Sequence, residues 1–249
     1  AAVVAETEEI ARDAVELISA NIEELPAVID LKSALDNKHL VHDEIETNQC
    51  FDWGWIEDNR EKTDQAIANA PHVTTLELVN NRLVPNAMEP RCSLADYNAG
   101  TEEYTLYTTS QNPHLTRLLI SAFVMGIPEN KLRVIAPDVG GGFGSKIYHY
   151  GEEALVLAAS KRIGRPVKWT ATRTESFLSD AHGRDHVTKI ELACEKDGKF
   201  IAFRTETYAN VGAYLSNFST ATPTFLHGTL MSGNYSVPNV YVNVKREPT

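Results

Sequence analysis

A glycine-rich segment carries the most specific chemistry in this sequence. It runs Val139-Gly-Gly-Gly-Phe-Gly-Ser-Lys146, with four glycines among residues 140–144. Glycine has no Cβ, so the backbone can take up positive φ angles and approach a ligand closely. Successive backbone N–H groups can then point at an anion. The segment predicts a loop that holds a phosphate or an oxo group, and a tight structural turn without a ligand is the alternative.

The familiar nucleotide-binding motifs do not fit this segment. A P-loop requires a glycine directly before its lysine, whereas Ser145 precedes Lys146. The dinucleotide fingerprint G-x-G-x-x-G fails because its third glycine position falls on Ser145 or on Ile147. If the loop binds a ligand, the binding site is neither a P-loop nor a dinucleotide-binding fingerprint.

The elements that must position the loop form an α+β pattern without internal repeats. Apolar residues recur with helical spacing from Thr7 to Ile18 and at 31–35, 115–125 and 152–163, and Asp58 is a candidate cap for a further helix. Strands are predicted at residues 2–5, 22–25, 50–57, 73–84, 132–136, 167–172 and 240–245, on both sides of the turn Asn98-Ala-Gly100, and in a hairpin joining 187–194 to 200–209. The glycine loop then joins a strand to a helix.

Composition narrows the class of protein. The chain has 249 residues, of which 43% are hydrophobic, and a net charge of -11. The acidic balance disfavours nucleic acid and anionic membranes as partners. No apolar run reaches the roughly 18 residues of a membrane span, and no signal peptide is recognisable, so a cytoplasmic location is expected. The cysteines at positions 50, 92 and 194 are too far apart for a metal-cluster motif.

Several other groups of residues favour structural roles. Glu152 and Glu153 begin a predicted helix, where acids stabilise the positive end of the dipole, so capping is favoured over acid–base catalysis. The aromatic residues 51, 53 and 55 alternate along a strand and indicate one face of a core.

The histidines do not form a convincing metal site either. His182 and His186 lack a third ligand nearby, and His39 and His42 lie in a polar linker. No metal ligand is therefore predicted from this chain.

A set of motifs in a fixed order gives the sequence a family resemblance. They are Glu23-Glu-Leu-Pro26, Asn86-Ala-Met-Glu-Pro-Arg91, Thr109-Ser-Gln-Asn-Pro113, Gly140-Gly-Gly-Phe-Gly144, and Gly164-Arg-Pro-Val-Lys168 followed by Arg173. Together they resemble the aldehyde oxidase, xanthine dehydrogenase and carbon monoxide dehydrogenase family of molybdenum hydroxylases. The resemblance implies that residues 1–38 are the C-terminal part of an α/β hammerhead-like module. Residues 39–249 would be the first molybdopterin-binding domain, truncated at its C-terminal side.

The resemblance also assigns cofactor-binding residues. Gln111 matches the glutamine that hydrogen-bonds an oxygen of the molybdenum centre. Phe143 and Gly144 match residues beside the metal, while Gly141 and Gly142 approach the pterin. No protein side chain ligates the molybdenum in this family, because the pterin dithiolene holds it. Glu89 has two open interpretations, as part of a structural turn or as a residue that lines the substrate channel.

Two departures from the family pattern concern substrate and catalysis. Purine-oxidising relatives carry a glutamate where this chain has Ile147, so the form Gly-Phe-Gly-Ser-Lys looks more like the carbon monoxide dehydrogenase branch. The family's catalytic glutamate and the loop that carries a copper-binding cysteine would lie beyond Thr249. Both ends of the chain look cut, and the chain alone is expected to be inactive.

The resemblance implies a set of cofactors and partners. The cofactor would be molybdopterin, in its cytosine dinucleotide form, with molybdenum. An iron–sulfur small subunit and an FAD medium subunit would receive the electrons, in a dimer of heterotrimers that oxidises a small molecule. Carbon monoxide, an aldehyde and an N-heterocycle all remain open as substrates. The alternative is a non-catalytic remnant or assembly module that keeps the fold without the cofactor.

Overall fold

The computed structural model describes residues 1–247, except for the side chains of residues 32, 246 and 247. Pro248 and Thr249, on which the expectation of a cut C-terminal end partly rests, lie outside the described residues. The chain forms two compact units. The first contains Ala1–Leu25 and Val84–Ala181, and the second contains Pro26–Leu83 and His182–Thr249.

The described residues form both helices and strands, and the first strand begins at Phe51. The α-helices are α1 (Glu8–Glu16), α2 (Leu31–Leu35), α3 (Arg60–Ala68), α4 (Pro113–Leu118), α5 (Gly151–Ile163) and α6 (Arg173–Ser179). The strands are β1 (Phe51–Trp55), β2 (His72–Asn80), β3 (Cys92–Asn98), β4 (Glu103–Thr108), β5 (Leu132–Ile135), β6 (Val167–Thr170), β7 (His186–Cys194), β8 (Phe200–Asn210) and β9 (Asn239–Glu247). The fold combines α-helices with two mixed sheets, in agreement with the predicted α+β class.

The first unit is built on a four-stranded sheet in the order β5-β4-β3-β6. Strand β3 pairs antiparallel with β4 and β6, and β4 pairs parallel with β5. Helix α5 packs against β3. The buried core of this unit consists of Ala95, Tyr104, Leu106, Ile120, Leu132, Val156, Leu157 and Val167. The loops that carry the sequence motifs therefore extend from the ends of a packed sheet.

Helix α5 shows why the sequence folds locally as predicted. The Glu153 carboxylate accepts a hydrogen bond from the Tyr150 backbone N–H at 3.2 Å, which caps the first turn. Gly164 ends the helix with a φ of +67°, a conformation that favours glycine. The capping role predicted for Glu153 is confirmed, whereas Glu152 pairs with the Arg91 guanidinium.

The second unit is built on a five-stranded sheet in the order β1-β9-β8-β7-β2. Helix α3 packs over β8 and β9, and Ile67 of this helix joins a small core with Ala193 and Ala202. Trp53 packs against Ala209, Val242 and Val244 on β8 and β9. Trp55 stacks on Trp53 with ring centroids 6.0 Å apart, so the predicted aromatic face is partly core.

Two predicted strands, at residues 2–5 and 22–25, are wrong. Both segments have irregular backbone and lie outside the two sheets. Ile22 and Leu25 are 78% and 77% exposed. A short apolar run has the composition of a strand, but a strand forms only where a neighbour pairs with its backbone groups, and no described strand pairs with these segments.

Two helix predictions need correction. Residues 115–125 do not form one α-helix, because α4 continues into a π-helix at Leu119–Met125. The Ser121 hydroxyl donates to the Arg117 carbonyl at 2.7 Å and competes with the regular ladder. The predicted cap Asp58 lies inside a 3-10 turn, Glu57–Asn59, and α3 begins after it with Asn59 as its N-cap. Within residues 1–247, no helix has the length and apolar composition needed to cross a membrane.

Two leucines on α5 test the core of the first unit. Leu157 is fully buried, whereas Leu155 is 54% exposed. We expect Leu157→Ala to reduce the free energy of unfolding by about 2–5 kcal/mol, because it removes apolar contacts and leaves a cavity. Leu155→Ala is the matched control, with an expected loss below about 1 kcal/mol. Chemical denaturation measures both, and equal losses would contradict the assigned orientation of α5.

Candidate functional site

The glycine loop follows β5 and ends in a 3-10 turn at Ser145–Ile147. Gly141, Phe143 and Gly144 have φ values of +96°, +50° and +92°. Phe143 holds this left-handed conformation although it has a side chain, and its ring is 74% exposed. Such a backbone costs conformational energy, so the surrounding contacts must hold it in place. The loop is therefore a constrained segment and not a simple turn.

Gln111 lies against the middle of this loop. It occupies the connection between β4 and α4, and its backbone N–H donates to the Lys146 carbonyl at 2.9 Å. The Gly144 backbone N–H donates to the Gln111 Oε1 atom at 3.0 Å. A Cβ added to Gly142 would overlap the Gln111 side chain. The structure thus brings together the predicted residues Gln111, Gly142 and Gly144.

Glu89 ties the two ends of the loop together. Its Oε2 atom accepts from the Gly140 N–H at 2.7 Å and from the Lys146 ammonium at 3.0 Å. The same ammonium donates to the Glu89 carbonyl at 2.8 Å, and Lys146 is 3% exposed. Removing the Glu89 carboxylate would leave the buried Lys146 ammonium unpaired. The free-energy cost of that unpaired charge is larger than the stabilisation that the intact pair provides. In this structure Glu89 is a clamp, which neither sequence interpretation anticipated.

Another motif residue, Arg173, secures the segment that carries Glu89. Its guanidinium donates to the Asn86 side chain at 2.7 Å and to the Met88 carbonyl at 2.9 Å. The Asn86–Arg91 motif and Arg173 therefore meet in the first unit. The sequence alone did not show that these two motifs lie in contact, because more than 80 residues separate them.

The arrangement fits a ligand that accepts hydrogen bonds. Because the Gln111 Oε1 atom already accepts from Gly144, the Nε2 hydrogens of this exposed amide can face a ligand. No atom lies within 4 Å of the Cβ position at Gly144, so the backbone there can be approached closely. None of these groups is a metal ligand of the usual types. Such a set of donors suits a metal centre held entirely by its cofactor.

A larger cavity lies in the second unit. It is a groove of about 570 Å³ above β1, β7, β8 and β9, with α3 along one side. Its charged groups pair with one another, since Arg204 binds Asp64 and Glu191, and Lys245 binds Glu206. A charged small ligand would have to break these pairs. The groove holds none of the motif residues, so its size does not make it the active site.

The other candidate residues do not form a metal site. Among the described residues, no group of three or more histidine, cysteine, aspartate or glutamate side chains could hold a metal ion. The His42 Nε2 atom lies 2.5 Å from the Ala213 carbonyl, so this linker histidine has a structural contact. The three cysteines are not joined by disulfides.

Comparison with known proteins identifies the family. The family model described as the molybdopterin cofactor-binding domain matches residues 41–249. The carbon monoxide dehydrogenase large chain of Hydrogenophaga pseudoflava is 34% identical over 98% of this chain and 32% of its own length. The nicotine 6-hydroxylase large subunit of Paenarthrobacter nicotinovorans is 32% identical over 85% of this chain and 26% of its length. The crystal structure of quinoline 2-oxidoreductase from Pseudomonas putida 86 matches with a TM-score of 0.89 and 30% identity, covering 98% of this chain and 31% of that one.

The chain belongs to the molybdopterin cofactor-binding domain family. The resemblance inferred from the sequence motifs, including its lean towards the carbon monoxide dehydrogenase large chain, is confirmed. The chain spans roughly a third or less of the length of these three relatives.

A substitution at Gly142 tests its contact with Gln111. The Cβ of Gly142→Ala would overlap the Gln111 amide and push it off the loop. We expect a loss of about 0.5–1.5 kcal/mol in the free energy of unfolding, because the exposed Gln111 side chain can move aside but then loses its hydrogen bond from Gly144. Gly151→Ala is the matched control, because nothing lies within 4 Å of its Cβ position and its φ is not positive. A loss at Gly142→Ala no larger than in this control would contradict the packing.

Proposed function

We propose that this chain is part of the molybdopterin-binding large subunit of a carbon monoxide dehydrogenase-like molybdenum hydroxylase. The observation that carries the proposal is the contact of Gln111 with the backbone of the glycine loop at Gly142 and Gly144. This contact places an amide and a constrained backbone side by side at an accessible position. Membership of the molybdopterin cofactor-binding domain family supports the same conclusion.

Each proposed cofactor-binding residue has a separate task. The Gln111 amide donates to an oxygen at the molybdenum centre, and the Gly144 N–H holds that amide in place by donating to its oxygen. Gly141 and Gly142 keep the loop free of side chains where the pterin approaches. The exposed ring of Phe143 lines the path of the substrate and limits access of water.

The bound cofactor would supply the redox chemistry, in which oxygen from water is added to a small molecule and electrons pass onward. None of the residues Gln111, Gly141, Gly142, Phe143 and Gly144 can accept a proton at neutral pH. A catalytic base is therefore expected from elsewhere in the large subunit. This chain's contribution is to bind and orient the cofactor.

The domain division is part of the proposal. Residues 1–38 are assigned to a hammerhead-like module and residues 39–249 to the cofactor-binding domain. The start of the family match at residue 41 supports a boundary in this region.

Partners and substrate follow from the same proposal. The electrons would pass to an iron–sulfur subunit and an FAD subunit in a cytoplasmic dimer of heterotrimers, with the cofactor in its cytosine dinucleotide form. One of the similar proteins is a carbon monoxide dehydrogenase large chain, and another is a nicotine 6-hydroxylase large subunit. Ile147 in place of an acid disfavours a purine, because the pocket then lacks a carboxylate to pair with purine nitrogens. A small uncharged molecule is the proposed substrate class.

Metal and pterin analysis of the assembled complex tests the proposal. The full-length large subunit would be purified with its native partners, and molybdenum and iron measured by mass spectrometry alongside pterin fluorescence after oxidative release. We expect close to one molybdenum and one pterin per large subunit. A complete complex with neither would reject the proposal and leave a non-catalytic assembly module.

The variant Gln111→Ala tests the residue that carries the argument. Loss of a hydrogen bond to a charged oxygen corresponds to about ten- to hundredfold weaker cofactor retention. Gln65→Ala, on the exposed surface of α3, is the matched control and should retain molybdenum fully. Retention of molybdenum and unchanged turnover in Gln111→Ala would exclude the role assigned to this amide.

A further inference from the structure

The hydroxyl group of Tyr150, a residue outside the predicted site, holds the C-terminal end of the glycine loop by a hydrogen bond. The Tyr150 hydroxyl donates to the Ser145 carbonyl at 2.7 Å. The same oxygen accepts a hydrogen bond from the Ala181 backbone N–H at 2.9 Å. Ser145 directly follows Gly144 and is only 4% exposed, so the loop is fixed immediately beside its proposed metal-facing backbone.

The Tyr150 ring is itself held by a buried cation. The Arg91 guanidinium carbon lies 3.7 Å from the ring centroid, and the Arg91 side chain is 5% exposed. Arg91 donates to Asp180 at 2.6 Å and to Glu152 at 3.0 Å. A desolvated cation over an aromatic face is attracted to the ring and stabilises such packing. The ring therefore cannot swing away without disturbing a buried ion-pair network.

The protonation states of both groups keep this arrangement intact. Burial disfavours the charged guanidinium, but the hydrogen bonds and charges of Glu152 and Asp180 outweigh it and raise the pKa of Arg91. Burial also raises the pKa of the Tyr150 phenol well above its ordinary value. The hydroxyl is consequently protonated throughout the physiological range and can always donate to Ser145.

We propose that Tyr150, braced by Arg91, is a positioning residue that sets the orientation of the Phe143–Gly144 backbone toward the cofactor. The left-handed φ of Phe143 needs an external restraint, because a residue with a side chain rarely adopts it. Gln111 and Glu89 restrain the loop at Gly144 and Gly140, and Tyr150 supplies the restraint at Ser145. This inference rests on the proposed function, because it concerns the same loop and its ligand.

Tyr150→Phe isolates the hydroxyl, since it keeps the ring on Arg91. In the full-length subunit within its complex, we expect amide hydrogen exchange at Ala181 and in residues 140–146 to accelerate about three- to tenfold, as one lost hydrogen bond implies. The electron paramagnetic resonance line shape per bound molybdenum should also change. Tyr148→Phe is the matched control, with unchanged exchange in both segments.

The outcomes separate this inference from the proposed function. Unchanged loop exchange and an unchanged resonance signal in Tyr150→Phe would overturn the positioning role while leaving cofactor binding intact. Absence of molybdenum and pterin from the wild-type complex would instead reject the proposed function. Amide hydrogen exchange in residues 140–146 would still show whether Tyr150 restrains the loop.

A second variant covers the case in which Tyr150→Phe fails to fold. Arg91→Lys keeps the positive charge. A lysine ammonium, however, cannot stack on the Tyr150 ring as the planar guanidinium does, and it cannot donate to Asp180 and Glu152 with the same geometry. We expect a smaller, loop-selective acceleration of exchange. Faster exchange spread evenly over the first unit would show a general structural role and overturn the proposal.

Discussion

The hydrogen bond from the Gly144 N–H to the Gln111 Oε1 atom links the two segments on which the candidate site depends. It determines which end of the Gln111 amide faces outward, because an amide whose oxygen is occupied presents its hydrogens. It also favours a glycine at position 142, since a Cβ there would displace the Gln111 side chain. The composition of the loop is thus a consequence of one close contact.

The contacts around this hydrogen bond come from the distant residue Glu89 and from residues that directly follow the loop. Glu89 and Lys146 close the loop at its ends, and Tyr150 supports Ser145. Each of these groups is buried or half-buried, where an unpaired charge or hydroxyl would be costly. A constrained backbone can persist only under such combined restraint. The stability of the first unit and the geometry of its site are therefore not independent.

The second unit shows the opposite use of polar groups. Its groove has a volume of about 570 Å³, yet its acids and bases neutralise one another across β7, β8 and β9. Partly exposed ion pairs of this type contribute little individually. These ion pairs do make this face of the five-stranded sheet polar enough to be exposed to solvent. Cavity size alone would have directed attention to the wrong part of the chain.

The sequence by itself determined most of the helices and strands and the family. Helix ends at Gly126 and Gly164, the turn at Asn98 and the loop at 140–144 depend on local backbone preferences, which a sequence displays directly. Only the tertiary structure decided that Glu89 is a clamp, that Tyr150 supports the loop and that residues 22–25 pair with none of the strands in residues 1–247. These outcomes depend on which segments meet in space, and a pattern within one segment carries no information about its neighbours.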